Sequence, residues 1–140
     1  MPISVLLIDD EQDFSSVLSK RLTKAGYNVS TAGSGSEALT MLKSGISFDV
    51  TVLDVKMPGK NGLETLFSIK KINSQTEVIM LSAYGTPQCT IECLRWGARY
   101  FLNKPVNFDE LEEKIRESAT KFRTGPASSQ PDSGIRTCEL

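Results

Sequence analysis

Apolar positions along the chain fall into two kinds of pattern, short continuous runs and wider helical spacings, and one follows the other repeatedly. "ISVLLI" at 3–8 is a compact apolar run of the kind a buried strand needs. Behind it Phe14, Val17, Leu18, Leu22 and Ala25 recur at helical spacing until Gly26 stops them. "YNVSTA" at 27–32 alternates like a second strand. Ser34 then stands three residues ahead of Glu37, a capping-box pattern opening a helix that runs through Leu42. "DVTVLD" at 49–54 reads as the third strand, and it finishes on a carboxylate, Asp54, before the break at Pro58 and Gly59. Asn61 with Glu64 repeats the capping arrangement ahead of Leu63, Leu66 and Ile69. The fourth strand is "TEVIML" at 76–81, followed by a helix from about Thr86 to Trp96, with Trp96 as a packing residue near its end. "RYFL" at 99–102 is a short fifth strand. Asn107 with Glu110 caps the last helix, in which Phe108, Leu111, Ile115, Ala119 and Phe122 share one face.

Strand and helix in regular succession predict an α/β fold with a parallel sheet covered by helices on both faces. After Phe122 the composition changes. "RTGPASSQPDSGIRTCEL" at 123–140 is rich in Gly, Pro and Ser and has too few apolar residues for a further core. The expected division is therefore a domain over 1–122 and a linker or disordered tail over 123–140, which leaves open whether the chain is whole or the first portion of a longer one.

The carboxylate at the end of the third strand needs an explanation, because an ionised carboxylate buried without a partner costs several kcal/mol. Parallel α/β sheets carry their sites outside the carboxyl ends of the strands. There the first strand ends at Asp9, Asp10 and Glu11, the third at Asp54, the fourth at Ser82 and Ala83, and the fifth shortly before Lys104 and Pro105. Taken singly, Asp9 and Asp10 read as a helix N-terminal charge pair, and Lys104 as a solvated surface lysine. Taken together, they bring acids, a hydroxyl and an ammonium to one edge of the sheet.

Composition narrows the chemistry. At 140 residues the chain fits one domain, and 16 Lys plus Arg against 17 Asp plus Glu give no general attraction to nucleic acid or anionic membrane. Direct nucleic-acid binding by this chain is not expected. The N-terminal apolar run is too short and too quickly followed by acids for a signal peptide, and no run approaches a membrane span, so a cytoplasmic location is expected. The 3 cysteines form an odd set, and the spacing of Cys89 and Cys93 on a helix suits packing better than a disulfide. With 0 histidines, zinc-type sites and triads with a histidine base are excluded, and no Gly-rich loop ending in Lys-Ser or Lys-Thr is present to hold a nucleotide. The charges of Asp9, Asp10, Asp54 and Lys104 balance with one divalent cation, and all-oxygen ligation favours Mg²⁺. What remains is phosphoryl transfer to a carboxylate. Asp54 is the nucleophile, the metal and Lys104 neutralise the phosphoryl oxygens, and Ser82 donates a hydrogen bond.

"LLIDDE", "VLDVKMPGKNG", "MLSAY" and "FLNKP", in this order and spacing, resemble the receiver domains of two-component response regulators over residues 3 to about 122. Each motif alone is weak; four in register are specific. The resemblance implies a flavodoxin-like, doubly wound sheet of five parallel strands in the order 2-1-3-4-5 with five helices. It implies Asp54 as phosphoacceptor, with Mg²⁺ held by Asp9, Asp10, Asp54 and the backbone carbonyl of Lys56. A sensor histidine kinase or histidine phosphotransfer protein would be the phosphodonor, in a two-component relay or phosphorelay. Ser82 matches the hydroxyl switch position and Phe101 the aromatic one, although Phe101 reads equally as plain core. Lys56 and Tyr84 match the places that flank the path of the hydrolytic water and so tune the lifetime of the phosphoryl group. A downstream effector domain or protein and a phosphorylation-dependent homodimer are implied partners, while the acid that many relatives carry near Arg99 for pairing two receivers is missing. "SAYGT" and "GARYFLNKP" are somewhat similar to the receivers of enhancer-binding activators. The competing readings are an aspartyl-nucleophile phosphatase and an interaction module that is never phosphorylated. Against the first, the haloacid-dehalogenase type usually has a second Asp two residues after its nucleophile, where this chain has Lys56.

Overall fold

The computed structural model describes residues 2–55, 60–83 and 87–123. Lys56, Tyr84 and residues 124–140 of the expected 123–140 tail lie outside the described residues, while Arg123, expected to open that tail, is the last residue of the final helix. Within them the chain runs β1 (Ser4–Ile8), α1 (Gln12–Lys24), β2 (Asn28–Ala32), α2 (Gly35–Lys43), β3 (Val50–Val55), α3 (Lys60–Ile72), β4 (Glu77–Ser82), α4 (Pro87–Arg95), β5 (Ala98–Asn103) and α5 (Phe108–Arg123). Every strand pairing is parallel, and the sheet order is β2-β1-β3-β4-β5. This is the doubly wound, flavodoxin-like arrangement.

Alternation along the strands divides the core into two layers, because successive side chains of a strand point to opposite faces. Val5, Leu7, Val50, Val52, Ile79 and Leu81 pack with Leu18 and Leu22 of α1 and Leu111 and Ile115 of α5. Leu6, Ile8, Leu53, Val78, Met80 and Phe101 pack on the other face with Ala38 and Leu42 of α2, Leu66 and Ile69 of α3 and Cys93 of α4. The central strands carry apolar residues on both faces, which explains why they read as continuous apolar runs rather than as half-polar strands.

Local signals set several element ends. Gly26 takes a φ of 104°, and the N–H groups of Gly26 and Tyr27 donate to the carbonyls of Thr23 and Leu22, a glycine-based helix stop. Ser34 Oγ accepts from the Glu37 N–H at 3.1 Å while Glu37 Oε1 accepts from the Gly33 N–H at 2.8 Å. Asn107 Oδ1 accepts from the N–H groups of Asp109 and Glu110 at 2.7 and 3.2 Å. The capping role read for Asn61 rests on a side chain outside the described residues, and α3 runs from Lys60. The third strand also does not finish at Asp54. Its ladder continues to Val55, opposite Ser82, with Asp54 opposite Leu81.

Cys93 is buried and Cys89 partly exposed on α4. Trp96, read as a packing residue, is half-exposed and meets the half-exposed Phe67 of α3 edge to face, with ring centroids 5.3 Å apart. Among the described residues no helix is long and apolar enough to cross a membrane.

Candidate functional site

The carboxyl ends of β1 and β3 place two acids side by side. Asp9 follows Leu7 in the alternation and Asp54 follows Val52, so both project toward the α1 and α5 layer just above its apolar part. Both are buried, Asp9 with 4% of its surface exposed and Asp54 with 9%. Lys104 reaches them from the connection between β5 and α5. Its backbone N–H donates to the Ser82 carbonyl oxygen at 2.8 Å, which ties that connection to the end of β4. Its ammonium lies 2.6 Å from Asp54 Oδ2.

Burial pushes the Asp9 carboxyl up to about 7; the Glu11 N–H opposes that rise, and the neighbouring Asp54 carboxylate adds to it. Burial also raises Asp54, against the hydrogen bond and charge of Lys104. For Lys104, burial alone would lower the ammonium, but the hydrogen bond and charge of Asp54, with Asp9 and Glu11 behind them, outweigh it and the value is raised. Two carboxylates thus share one ammonium in a poorly hydrated place. One positive charge is too little for both.

The donor set fits a divalent cation. Asp9 Oδ1 accepts from the Glu11 N–H at 2.8 Å, while Asp9 Oδ2 is buried and has no hydrogen-bond partner among the described residues. Oxygen-only donors, one of them orphaned, fit a hard cation such as Mg²⁺, which is content with one or two carboxylates. Asp10 is exposed beside them. Among the described residues no three His, Cys, Asp or Glu side chains gather at metal-ligating distance, and Asp9 and Asp54 are the two acids brought into interaction.

The remaining sequence-derived positions divide. Ser82 is fully buried at the end of β4, and alternation aligns it with Met80, on the α3 and α4 face, rather than with Asp54. Phe101 is 3% exposed and packed in that same layer. Two contacts of Lys104 were not foreseen. Glu11 Oε1 lies 3.4 Å from its ammonium, and the ring of Phe14 lies under it at 4.4 Å to the centroid. Both residues sit within one turn of the start of α1, but the spacing that marked Phe14 as apolar does not say which group from a distant loop will cover it.

The chain matches the response regulator receiver domain family over residues 5–116. It is 37% identical to the transcriptional regulatory protein CpxR of Escherichia coli (strain K12) over 136 residues, which is 97% of this chain and 57% of that protein. It is 32% identical to the transcriptional regulatory protein ZraR of Salmonella typhimurium over 137 residues, 95% of this chain and 31% of that protein. The chain therefore spans about half or less of these relatives. Among solved structures it superposes on a CheY-like receiver domain protein from Methanospirillum hungatei with a TM-score of 0.82 and 27% identity, covering 89% of this chain and 98% of that one. It superposes on the beryllofluoride-activated NtrC4 receiver domain dimer with a TM-score of 0.77 and 31% identity, covering 85% and 98%. The sheet order, the acids at the ends of β1 and β3 and this match over most of the chain agree: the protein belongs to the response regulator receiver domain family.

Proposed function

We propose that the chain accepts a phosphoryl group on Asp54 from a phosphohistidine of a sensor kinase or phosphotransfer protein, in a Mg²⁺-dependent reaction in the cytoplasm, and changes conformation to control an output. The observation that carries this reading is the ion pair of Asp54 with Lys104 at 2.6 Å beside a second buried carboxylate. An Asp54 carboxylate oxygen attacks phosphorus, the phosphorus–nitrogen bond of the donor breaks, and its electron pair returns to the imidazole. Lys104 neutralises charge on the transferred group. Asp9 and Asp54, with exposed Asp10 and the Lys56 carbonyl, would hold Mg²⁺, which supplies charge stabilisation at the phosphoryl oxygens. The chain acts as a signalling receiver over 1–122 and catalyses only its own phosphorylation and dephosphorylation.

The switch follows from the same pieces. Phosphorylation adds roughly one negative charge and new acceptor oxygens at the site. Ser82 and Lys104 are linked through the backbone bond from Lys104 N–H to Ser82 O, so a shift of either toward the phosphoryl group pulls the β4 and β5 ends together. Phe101 lies under α4 in the layer that would repack, which supports a moving role alongside its core role. Incubation with beryllofluoride and Mg²⁺ tests the reading. Amide-exchange changes centred on α4, β5 and α5 are expected, and changes confined to α1 and α2 would contradict it.

A further inference from the structure

Lys104 is held from three sides, and one of them is aromatic. Its ammonium is 2.6 Å from Asp54 Oδ2, 3.4 Å from Glu11 Oε1 and 4.4 Å from the centre of the Phe14 ring. The ring is the fixed member, since Phe14 belongs to the first turn of α1 and packs against the core layer below it. Lys104 stands on a connection between elements at the end of a flexible four-carbon stem. A cation within about 6 Å of an aromatic face is attracted to it, and more strongly where water is excluded. The Lys104 side chain is only 19% exposed.

We propose that Phe14 is a positioning residue for phosphoryl transfer, its ring holding the Lys104 ammonium beside Asp54 while that carboxylate takes on the phosphoryl group. The inference rests on Asp54 as acceptor and Lys104 as its partner. During transfer the ammonium must exchange Asp54 Oδ2 for a phosphoryl oxygen. Glu11, half-exposed and negatively charged, competes for it at that moment. The ring has no net charge and stays in place, so it is the one contact of the three that serves both the resting and the phosphorylated site. Without it, the ammonium divides its time between Glu11 and the reacting group. Loss of the ring should therefore slow the reaction, and removing the Glu11 charge should recover part of that loss.

The test uses the full chain with acetyl phosphate and Mg²⁺. Phe14→Leu, which keeps apolar bulk but removes the aromatic face, is expected to phosphorylate about fivefold more slowly, equivalent to about 1 kcal/mol in the barrier. Phe14→Tyr, which keeps the face, is expected to recover the rate. Phe14→Leu combined with Glu11→Gln is expected to be faster than Phe14→Leu alone. In proton NMR the Lys104 ε-methylene resonances should be shifted upfield by the ring in the wild type and in Phe14→Tyr. Unshifted resonances in the folded wild type overturn the proposal even if Phe14→Leu fails to fold. So does a Phe14→Leu rate equal to wild type, or a Phe14→Tyr rate as slow as Phe14→Leu. A wild type that takes no phosphoryl group at Asp54 removes the underlying reading as well, whereas normal wild-type labelling with an unaffected Phe14→Leu removes only the positioning role.

Discussion

Lys104 and Asp54 meet at 2.6 Å, one from the β5–α5 connection and the other from β3, with the whole of β4 lying between their strands. The contact gives the phosphoacceptor candidate a neutralising partner that no residue of its own strand supplies. It also leaves Asp9, one strand further away, with a smaller share of the same positive charge.

Removing Lys104 should therefore matter more than removing Ser82. A full charge on the transferred group outweighs a neutral hydrogen bond. Lys104→Ala is expected to reduce the phosphorylation-induced conformational change more than Ser82→Ala does. Tryptophan fluorescence or chemical-shift change after acetyl phosphate addition measures this, and a larger defect in Ser82→Ala would reverse the ranking.

The carboxylate pair makes the metal-free protein sensitive to pH. Asp9 is raised from 3.8 to about 7, chiefly by burial, so between these values the folded state binds more protons than the unfolded one. Under that condition stability falls as pH rises. The favourable contribution is fully present below about 4 and is lost as pH climbs through about 7. In the presence of a chelator the melting temperature is expected to drop across this window more in wild type than in Asp9→Asn. Adding Mg²⁺ at neutral pH is expected to restore part of the loss. Parallel pH profiles for the two proteins would show that the pair is not strained.

Most of the fold was legible because its signals are local. The apolar runs of β1, β3 and β4 are strands buried on both faces, and the Gly26 stop and the Ser34 and Asn107 caps are made by residues adjacent in sequence. The site was legible as a set of strand ends, since parallel topology sends all of them to one edge, and Asp9, Asp54 and Lys104 do gather there. What could not be read were contacts fixed by packing between distant segments. Lys104 settles over Phe14 and near Glu11, because side-chain and loop geometry decide these points. Trp96 looked like ordinary packing, yet its partner Phe67 leaves both rings half-exposed, which spacing alone does not reveal.

Gly26 offers a test of the backbone. Its φ of 104° suits glycine, and a Cβ added there meets nothing within 4 Å, so the cost of Gly26→Ala is conformational rather than steric crowding from neighbours. A loss of about 1–2 kcal/mol is expected. Denaturant unfolding monitors it, and unchanged stability would mean that α1 ends in another way in solution.

Lifetime of the phosphoryl group is a separate property from its arrival. The resemblance to receiver domains implies that Lys56 and Tyr84 flank the path of the attacking water, and both are large residue types. Lys56→Ala or Tyr84→Ala is expected to shorten the aspartyl-phosphate lifetime by a few fold, on the order of 1 kcal/mol or less in the barrier. Phosphate release from purified phosphoprotein in excess Mg²⁺ measures it. Decay of both variants at the wild-type rate or slower would leave the lifetime to Mg²⁺ and Lys104.

The role of Asp54 is tested most directly by mapping where the phosphoryl group goes. Wild-type chain incubated with acetyl phosphate and Mg²⁺, then reduced with borohydride and sequenced by mass spectrometry, is expected to carry the modification at Asp54 alone. Labelling should stop when the metal is chelated and should be absent from Asp54→Asn. Equal labelling of Asp54→Asn, or a modification found elsewhere in the wild type, would contradict the assignment of Asp54 as the phosphoacceptor.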